Sequence, residues 1–371
     1  MLPLTPADYR ALARARLPAA TWDFFEGGAG AEWTLRANRA QFRRHVLRPR
    51  VLVDVSAPDC STELFGARLA APFGVAPMAY HQLACPEGEI ATARAARAAG
   101  ALLVVSIFAG RRLEEIARAG GDAPRWLQLY WLRDRAALAD LAGRAEAAGF
   151  GALVLTVDAP KVARRLRDLR NSFAVPDGVR AVNLDAALAV GAARSGSSAI
   201  EAHSVEQFDR SITWADLSWL RQKTSLPLVL KGVLTAEDAR RAVDHGVDAL
   251  VVSNHGGRQL DGAPPALAAL PEVVDAVPAD CPVLVDGGIR HGTDLAKALA
   301  LGARAALIGR PVLWGLAHSG EPGARHVLDL LRTELLDTLV LSGRPTLADL
   351  DRTLLADWPP PHHLRREDPP G

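Results

Sequence analysis

His255 and Arg258 stand three residues apart in Ser253-Asn254-His255-Gly256-Gly257-Arg258-Gln259-Leu260-Asp261. A neutral imidazole accepts protons near pH 7, and a guanidinium is a permanent cation. Together they suit a substrate that carries an acidic hydrogen and a carboxylate. The apolar run 248–252 just before them has the composition of a buried strand, so the pair sits where a strand ends. A solvated turn is the plain alternative. It would use Gly and Asn but would rarely add both His and Arg.

Other strand-like runs also end in groups that can bind or react. Ser106, Gln128 with Tyr130, Thr156 with Asp158, Lys231, Ser253 with His255, Asp286 and Arg310 close seven of eight such runs, and the first ends in Pro77-Met78-Ala79. Ser106, Gln128 and Thr156 are neutral donors and acceptors, suited to the edge of a heterocycle such as an isoalloxazine. Lys231 ends a buried run and needs an anionic partner. A reduced flavin would serve, and a Schiff-base role is the rival because barrel aldolases also place a lysine at a strand end. Asp286-Gly287-Gly288, with Arg290, and Gly309-Arg310 combine small residues with fixed cations, which suits a phosphate. Asp158 is the candidate carboxylate behind His255, and Arg164 or Arg165 can join Arg258 on a substrate carboxylate.

The elements that must position these groups alternate. Strands are expected at 73–76, 102–106, 126–130, 152–158, 228–231, 249–253, 283–286 and 305–309. Helices are expected at 87–99, 113–119, 135–148, 214–223, 236–245, 265–277, 293–301 and 323–341, several ending at Gly. Eight strands alternating with eight helices predict a (β/α)8 TIM barrel, whose sites lie at the C-terminal strand ends. An open doubly wound sheet needs no count of eight. Residues 1–70 form an N-terminal helical extension, opened by Thr5 as cap and Pro6 in the first turn. The barrel spans 71–341, and 342–371 is a C-terminal tail, all within one domain. Residues 174–212, after the fourth strand, form a long lid-like loop of weak patterning.

Composition excludes several classes. A net charge of +1, with 43 Lys and Arg scattered along 371 residues, provides no groove for nucleic acid. There is no leader-like start, and the apolar run 298–317 is broken by Arg304, Arg310 and Pro311, so no membrane span is expected. Cys60, Cys85 and Cys281 have neither metal-ligand nor disulfide-framework spacing, which predicts a reducing cytoplasmic setting and no metal.

Taken together, these motifs resemble the FMN-dependent α-hydroxy-acid oxidase and dehydrogenase family, which includes glycolate and lactate oxidases. The resemblance rests on residues 253–261, Trp126-Leu127-Gln128-Leu129-Tyr130, Leu155-Thr156-Val157-Asp158, Leu230-Lys231-Gly232, Asp286-Gly287-Gly288-Ile289-Arg290 and Ile308-Gly309-Arg310. It implies that His255 is the base, Asp158 its partner and Tyr130 a hydrogen-bonding group to substrate. Arg258 and Arg165 would bind the carboxylate. FMN would be held by Pro77, Met78, Ala79, Ser106, Gln128, Thr156, Lys231, Ser253, Asp286, Gly287, Gly288, Arg290, Gly309 and Arg310. The substrate Cα–H would leave as a hydride to the flavin or as a proton to His255, and the sequence does not choose. The resemblance further implies an (S)-2-hydroxy acid as substrate, oxygen or another electron acceptor, and a homotetramer.

Three positions depart from the short-chain oxidases of that family. Phe24 replaces a tyrosine, Phe108 a common tryptophan and Cys85 a usual histidine. Phe24 makes the pocket more apolar. With residues 78–80, 131–134 and 165–173, it is most similar to actinobacterial hydroxymandelate oxidases, which implies a bulky or aryl acid. An FMN barrel isomerase of the type 2 isopentenyl diphosphate kind would have no use for the His255–Arg258 pair. A lyase using Lys231 would be colourless, and a barrel that only binds ligand would not need all these side chains.

Overall fold

Largely apolar runs of three to six residues fold into a closed parallel barrel in the computed structural model, which describes residues 3–184 and 206–357. Its strands are β1 (Phe73–Val75), β2 (Leu102–Ser106), β3 (Arg125–Leu129), β4 (Leu153–Thr156), β5 (Leu228–Val233), β6 (Ala249–Val252), β7 (Val283–Asp286) and β8 (Ala305–Ile308). Each pairs with its sequence neighbours, and β8 closes on β1 through Ala306 and Phe73. This is the expected (β/α)8 barrel.

Side chains alternate across each strand, so one sequence supplies two cores. Leu102, Val104, Trp126, Val154, Val229, Val251, Leu284 and Leu307 form one cluster, which fills the barrel. Their neighbours Leu103, Val105, Leu127, Leu155, Leu230, Val252 and Val285 belong to the larger cluster shared with the surrounding helices. A short hairpin (Thr62–Leu64 with Ala67–Leu69) adds Leu64 and Leu69 to the inner cluster, and Phe65 meets Trp126 at 5.5 Å.

Three helices precede the barrel: Pro6–Arg16, Ala19–Glu26 and Trp33–Arg44. The Thr5–Asp8 capping box is present, as expected, and such a cap stabilises a helix by about 1 kcal/mol. The third helix is capped from a distant segment. Asp261 accepts from the backbone N–H of Ala31 at 2.8 Å and of Thr34 at 2.9 Å. The turn after β6 thereby holds the N-terminal helices over the barrel mouth.

Several boundaries differ from expectation. β4 stops at Thr156, so Asp158 lies on the loop beyond it. β5 runs on to Val233 through a bulge between Lys231 and Val233. Two helices follow β8, not one: Arg310–Ser319 and Glu321–Leu341. Within the N-terminal extension a three-residue strand, His45–Leu47, pairs with Leu355–Asp357. That pairing ties the start of the tail to the N-terminal extension. Most of the expected lid-like loop, from 185 to 205, and the tail from 358 lie outside the described residues. Its flanks are docked: Phe208 bridges Leu132, and Arg135 pairs with Asp209 at 2.5 Å. Among the described residues no helix is long and apolar enough to cross a membrane.

Candidate active site

Two hydrogen-bonded rows cross the C-terminal rim of the barrel. Ser106 on β2 donates to Gln128 Oε1 at 3.1 Å, and Gln128 Nε2 donates to Thr156 Oγ1 on β4 at 3.0 Å. Across the mouth, Lys231 Nζ donates to Ser253 Oγ, just after β6, at 2.9 Å and lies 3.2 Å from Asp286 Oδ2 on β7. The lysine and aspartate side chains are only 4% and 9% exposed, so the ion pair is desolvated. Burial pushes the lysine pKa down, but Asp286 and Asp158 overcome it and hold it above its ordinary value. Lys231 stays an ammonium, which disfavours the Schiff-base role. Asp286, expected beside a phosphate, is instead the partner of Lys231.

His255 follows β6 in a tight 3₁₀ turn with φ +59°, a left-handed conformation that costs a non-glycine residue about 1–2 kcal/mol. The strain aims the ring at Asp158: His255 Nδ1 and Asp158 Oδ1 are 2.9 Å apart. The backbone N–H of His255 donates to Ser253 Oγ at 3.0 Å. Two glycines make this arrangement possible. A Cβ on Gly257 would come within 2.6 Å of the Leu35 backbone, and one on Gly232 within 2.6 Å of Asp158 Cβ. Both have positive φ, so the turn and the bulge admit no other residue without a shift.

Burial pushes the His255 pKa down, helped by Lys231 and Arg165, while Asp158 opposes. The ring is therefore neutral at pH 7. With Nδ1 bonded to the carboxylate, Nε2 is the nitrogen left to take a proton. Burial works against the Asp158 carboxylate, yet His255 and Lys231 hold its pKa below the usual range. Tyr130 is pushed well up, first by burial and then by Asp158, and remains a donor.

Arg165, Arg258, Arg290 and Arg310 line the same cavity as these groups. Arg258 Nη1 donates to the carbonyls of Phe24 and Gly27, both at 2.7 Å, which leaves the other edge of its fork for a carboxylate. Arg310 donates to the carbonyls of Phe25 and Gly27, at 3.0 and 3.2 Å. The Arg258 pKa is well depressed, by burial first and then by Arg165 and Arg310. Arg290, which lies over the Trp314 ring at 4.8 Å, is pushed down by burial and by Arg310.

These groups line one cavity at the C-terminal rim of the barrel. It contains every expected binding residue except Asp158 and Ser253, which support it from behind His255 and Lys231. None of the ion pairs among the described residues involves Arg258, Arg290 or Arg310. Buried cations that depress one another call for anions. A phosphate near Arg290 and Arg310 and a carboxylate near Arg165 and Arg258 answer that need, and the Ser106–Gln128–Thr156 row answers a heterocycle. The residues fit FMN.

Phe24, Phe25, Phe108 and Tyr130 are the aromatic lining of the pocket, and Phe173 and Phe208 back it from behind. Phe24 stacks on Phe173 at 4.4 Å, and Tyr130 stacks on Phe208 at 4.6 Å and meets Phe108 at 5.8 Å. Phe208 carried no motif to flag it. Asn254 was visible only as part of the motif, and it forms a reciprocal amide pair with Asn38 at 2.8 Å in both directions. Gln259 donates to the carbonyls of Asp158 and Lys161, at 3.1 and 2.9 Å.

Comparisons agree with this geometry. The family model described as FMN-dependent dehydrogenase matches residues 13–357. A 4-hydroxymandelate oxidase of Amycolatopsis orientalis is 50% identical over 337 residues, covering 91% of this chain and 94% of its own. An L-lactate oxidase of a Nostoc species is 48% identical over 357 residues, covering 95% and 98%. A solved mandelate oxidase with (S)-4-hydroxymandelic acid superposes with a TM-score of 0.90 at 48% identity, covering 95% of this chain and 98% of that one. A closed eight-stranded barrel, a His–Asp pair beside buried arginines and a family match along nearly the whole length lead to one conclusion: this chain belongs to the FMN-dependent dehydrogenase family.

Proposed function

We propose that the protein oxidises an (S)-2-hydroxy acid with a bulky or aryl side chain to the 2-oxo acid, with oxygen as acceptor and hydrogen peroxide as product. The observation that carries this reading is the neutral His255 imidazole, bonded to the Asp158 carboxylate and facing the same cavity as Arg165 and Arg258. Bound FMN supplies the two-electron acceptor. Arg290, Arg310 and the glycines 287, 288 and 309 would hold its phosphate. The backbone of Pro77, Met78 and Ala79, with Ser106, Gln128, Thr156, Lys231 and Ser253, would hold its ring system.

The chain's own residues do the rest. Arg258 and Arg165 clamp the substrate carboxylate, worth about 1.5–3 kcal/mol for each charged hydrogen bond. Tyr130 donates to the substrate. Oxidation of the alcohol releases two electrons and two protons, and His255 ends with one proton whether it comes from the hydroxyl or from the α-carbon. Asp158 then faces an imidazolium and stabilises it.

Phe24 presents a bare ring where the short-chain oxidases carry a tyrosine hydroxyl, and Phe108 lines the same cavity. The hydroxymandelate oxidase among the relatives and the mandelate oxidase among the structural neighbours favour the same side-chain class, while the L-lactate oxidase is named for a short acid. Faster anaerobic flavin reduction by mandelate than by glycolate, followed by peroxide on adding oxygen, is the expected result. Faster reduction by glycolate would overturn the side-chain assignment.

The reading extends to the whole molecule as one functional unit, with the N-terminal helices roofing the site. Val51 and Leu341 are exposed at 82% and 77% on segments joined by an Arg50 N–H bond to the Ser342 carbonyl. These exposed apolar side chains, with the family resemblance, support self-association as a homotetramer, which light scattering tests. Three free cysteines support a reducing, cytoplasmic setting.

A further inference from the structure

Arg167 lies two residues beyond Arg165 on the short helix Leu166–Arg170, outside the cavity. Its guanidinium forks Glu32: Nε donates to Oε1 at 2.7 Å and Nη2 to Oε2 at 2.6 Å. Its third nitrogen, Nη1, donates to Asp23 Oδ1 at 3.3 Å. Asn171, one turn on, donates to the other Asp23 oxygen at 2.6 Å.

Each of the two elements joined this way lines the substrate pocket, one through Phe24 and the other through Arg165. Asp23 immediately precedes Phe24 on the helix Ala19–Glu26, whose end supplies the carbonyls that hold Arg258. Arg167 is followed by Phe173, whose ring stacks on Phe24 at an interplanar angle of 11°. Glu32 also accepts from the Gly28 N–H at 3.0 Å, and the Gly30 N–H donates to the Arg164 carbonyl at 3.0 Å. The Arg167 side chain runs along Gly27, where a Cβ would lie 3.5 Å from its Cδ. The carbonyl of Gly27 bonds both Arg258 and Arg310. No barrel strand links these two segments, so the charged clamp, the ring stack and the Gly30–Arg164 backbone bond set their spacing. Burial opposes Glu32 ionisation, yet Arg167 and the Gly28 N–H hold its pKa below the usual range.

We propose that Arg167 is a positioning residue for substrate recognition: by clamping Asp23 and Glu32 it sets the Phe24–Phe173 wall against the Arg165–Arg258 carboxylate site, and so governs affinity for acids with bulky side chains. This rests on the 2-hydroxy-acid reading above. The clamp is specific to a fork. A lysine keeps the charge but cannot bridge both Glu32 oxygens and Asp23. The three side chains are 35%, 15% and 28% exposed, so added salt weakens the clamp.

The test uses the FMN-loaded enzyme and anaerobic flavin reduction by mandelate and by lactate. Arg167→Ala should weaken apparent mandelate binding about fivefold, the upper range for a partly exposed ion pair. The limiting reduction rate and lactate binding should each change by less than about twofold. Arg167→Lys should fall between, and Arg167→Glu combined with Glu32→Arg should recover part of the loss. Mandelate binding to the wild type should weaken with salt more than binding to Arg167→Ala does. Hydrogen exchange should speed up in residues 19–32 and 164–173. Faster exchange with unchanged mandelate binding, or equal weakening for both acids, would overturn the proposal. If Arg167→Ala fails to load FMN, the lysine variant and the charge-swapped pair decide by the same criteria. A wild type that neither acid reduces would instead overturn the functional reading itself.

Discussion

Asp158→Asn isolates the charge behind His255. The two side chains have the same shape, so the contact with Gly232 is preserved. Asp158 Oδ2 is buried without a hydrogen-bond partner among the described residues, so an amide nitrogen placed there displaces no existing bond. Asn Oδ1 can still accept from His255 Nδ1 at 2.9 Å. What disappears is the attraction between a carboxylate and the imidazolium formed during turnover. With side chains 21% and 10% exposed, the pair sits in a medium of intermediate polarity. Two unit charges about 4 Å apart interact by about 4 kcal/mol at an effective dielectric near 20. Part of that is offset by desolvation, and a charge-assisted hydrogen bond contributes a net of about 1.5–3 kcal/mol. The rate should therefore fall by roughly 10- to 150-fold, at 1.36 kcal/mol per decade. Stopped-flow flavin reduction at saturating substrate, with FMN content checked by absorbance, measures it. Because Asp158 raises the His255 pKa, its neutralisation should also move the acid limb of the pH profile to lower pH. A rate within about threefold of the wild type and an unmoved limb would refute the role given to the carboxylate.

Three further outcomes follow from the same site. In the wild type, the base works as neutral imidazole and its pKa is depressed by burial, so kcat/KM should rise through a midpoint below the ordinary 6.5 and be flat by pH 7. A midpoint above 6.5 would contradict this. Lys231→Met leaves Asp286 buried and unpaired, which costs about 3–5 kcal/mol, so denaturant titration should show a loss of that size and FMN should bind weakly. Gly232→Ala places a methyl against Asp158 at φ +113°, costing about 1–3 kcal/mol, and activity should fall more than stability because Asp158 is displaced. A fully active alanine variant would remove the bulge from the account.

The barrel was legible because its strands are short apolar runs ending at Gly or polar groups. The strand ends could then be aligned by counting, which brought His255, Asp158 and the binding residues to one rim. Pairings between distant segments were not legible. Lys231 and Asp286 meet because β5 and β7 flank β6 at the mouth, a fact of closure that neither residue signals locally. Asp261 caps a helix more than two hundred residues earlier in the chain, and Arg258 is held by carbonyls from the helix Ala19–Glu26. Backbone carbonyls have no sequence signature. Phe173 and Phe208 lie in segments of weak patterning, where an aromatic residue looks like any other core residue until its neighbour is known. The long connection after β4 was recognised as abnormal by length alone, while its anchors at Phe208 and Asp209 became visible only in three dimensions.

The most direct test of the base is His255→Ala, purified with FMN bound and mixed anaerobically with (S)-mandelate. No residue proposed to contact the FMN phosphate is altered, so the protein should remain yellow and loaded. The flavin of the wild type should bleach rapidly, and that of the variant should bleach at least about a thousandfold more slowly, within the roughly 10²–10⁴-fold contribution of a general base. Reduction of the variant at a rate near that of the wild type would contradict the assignment of His255 as the group that takes the substrate's proton.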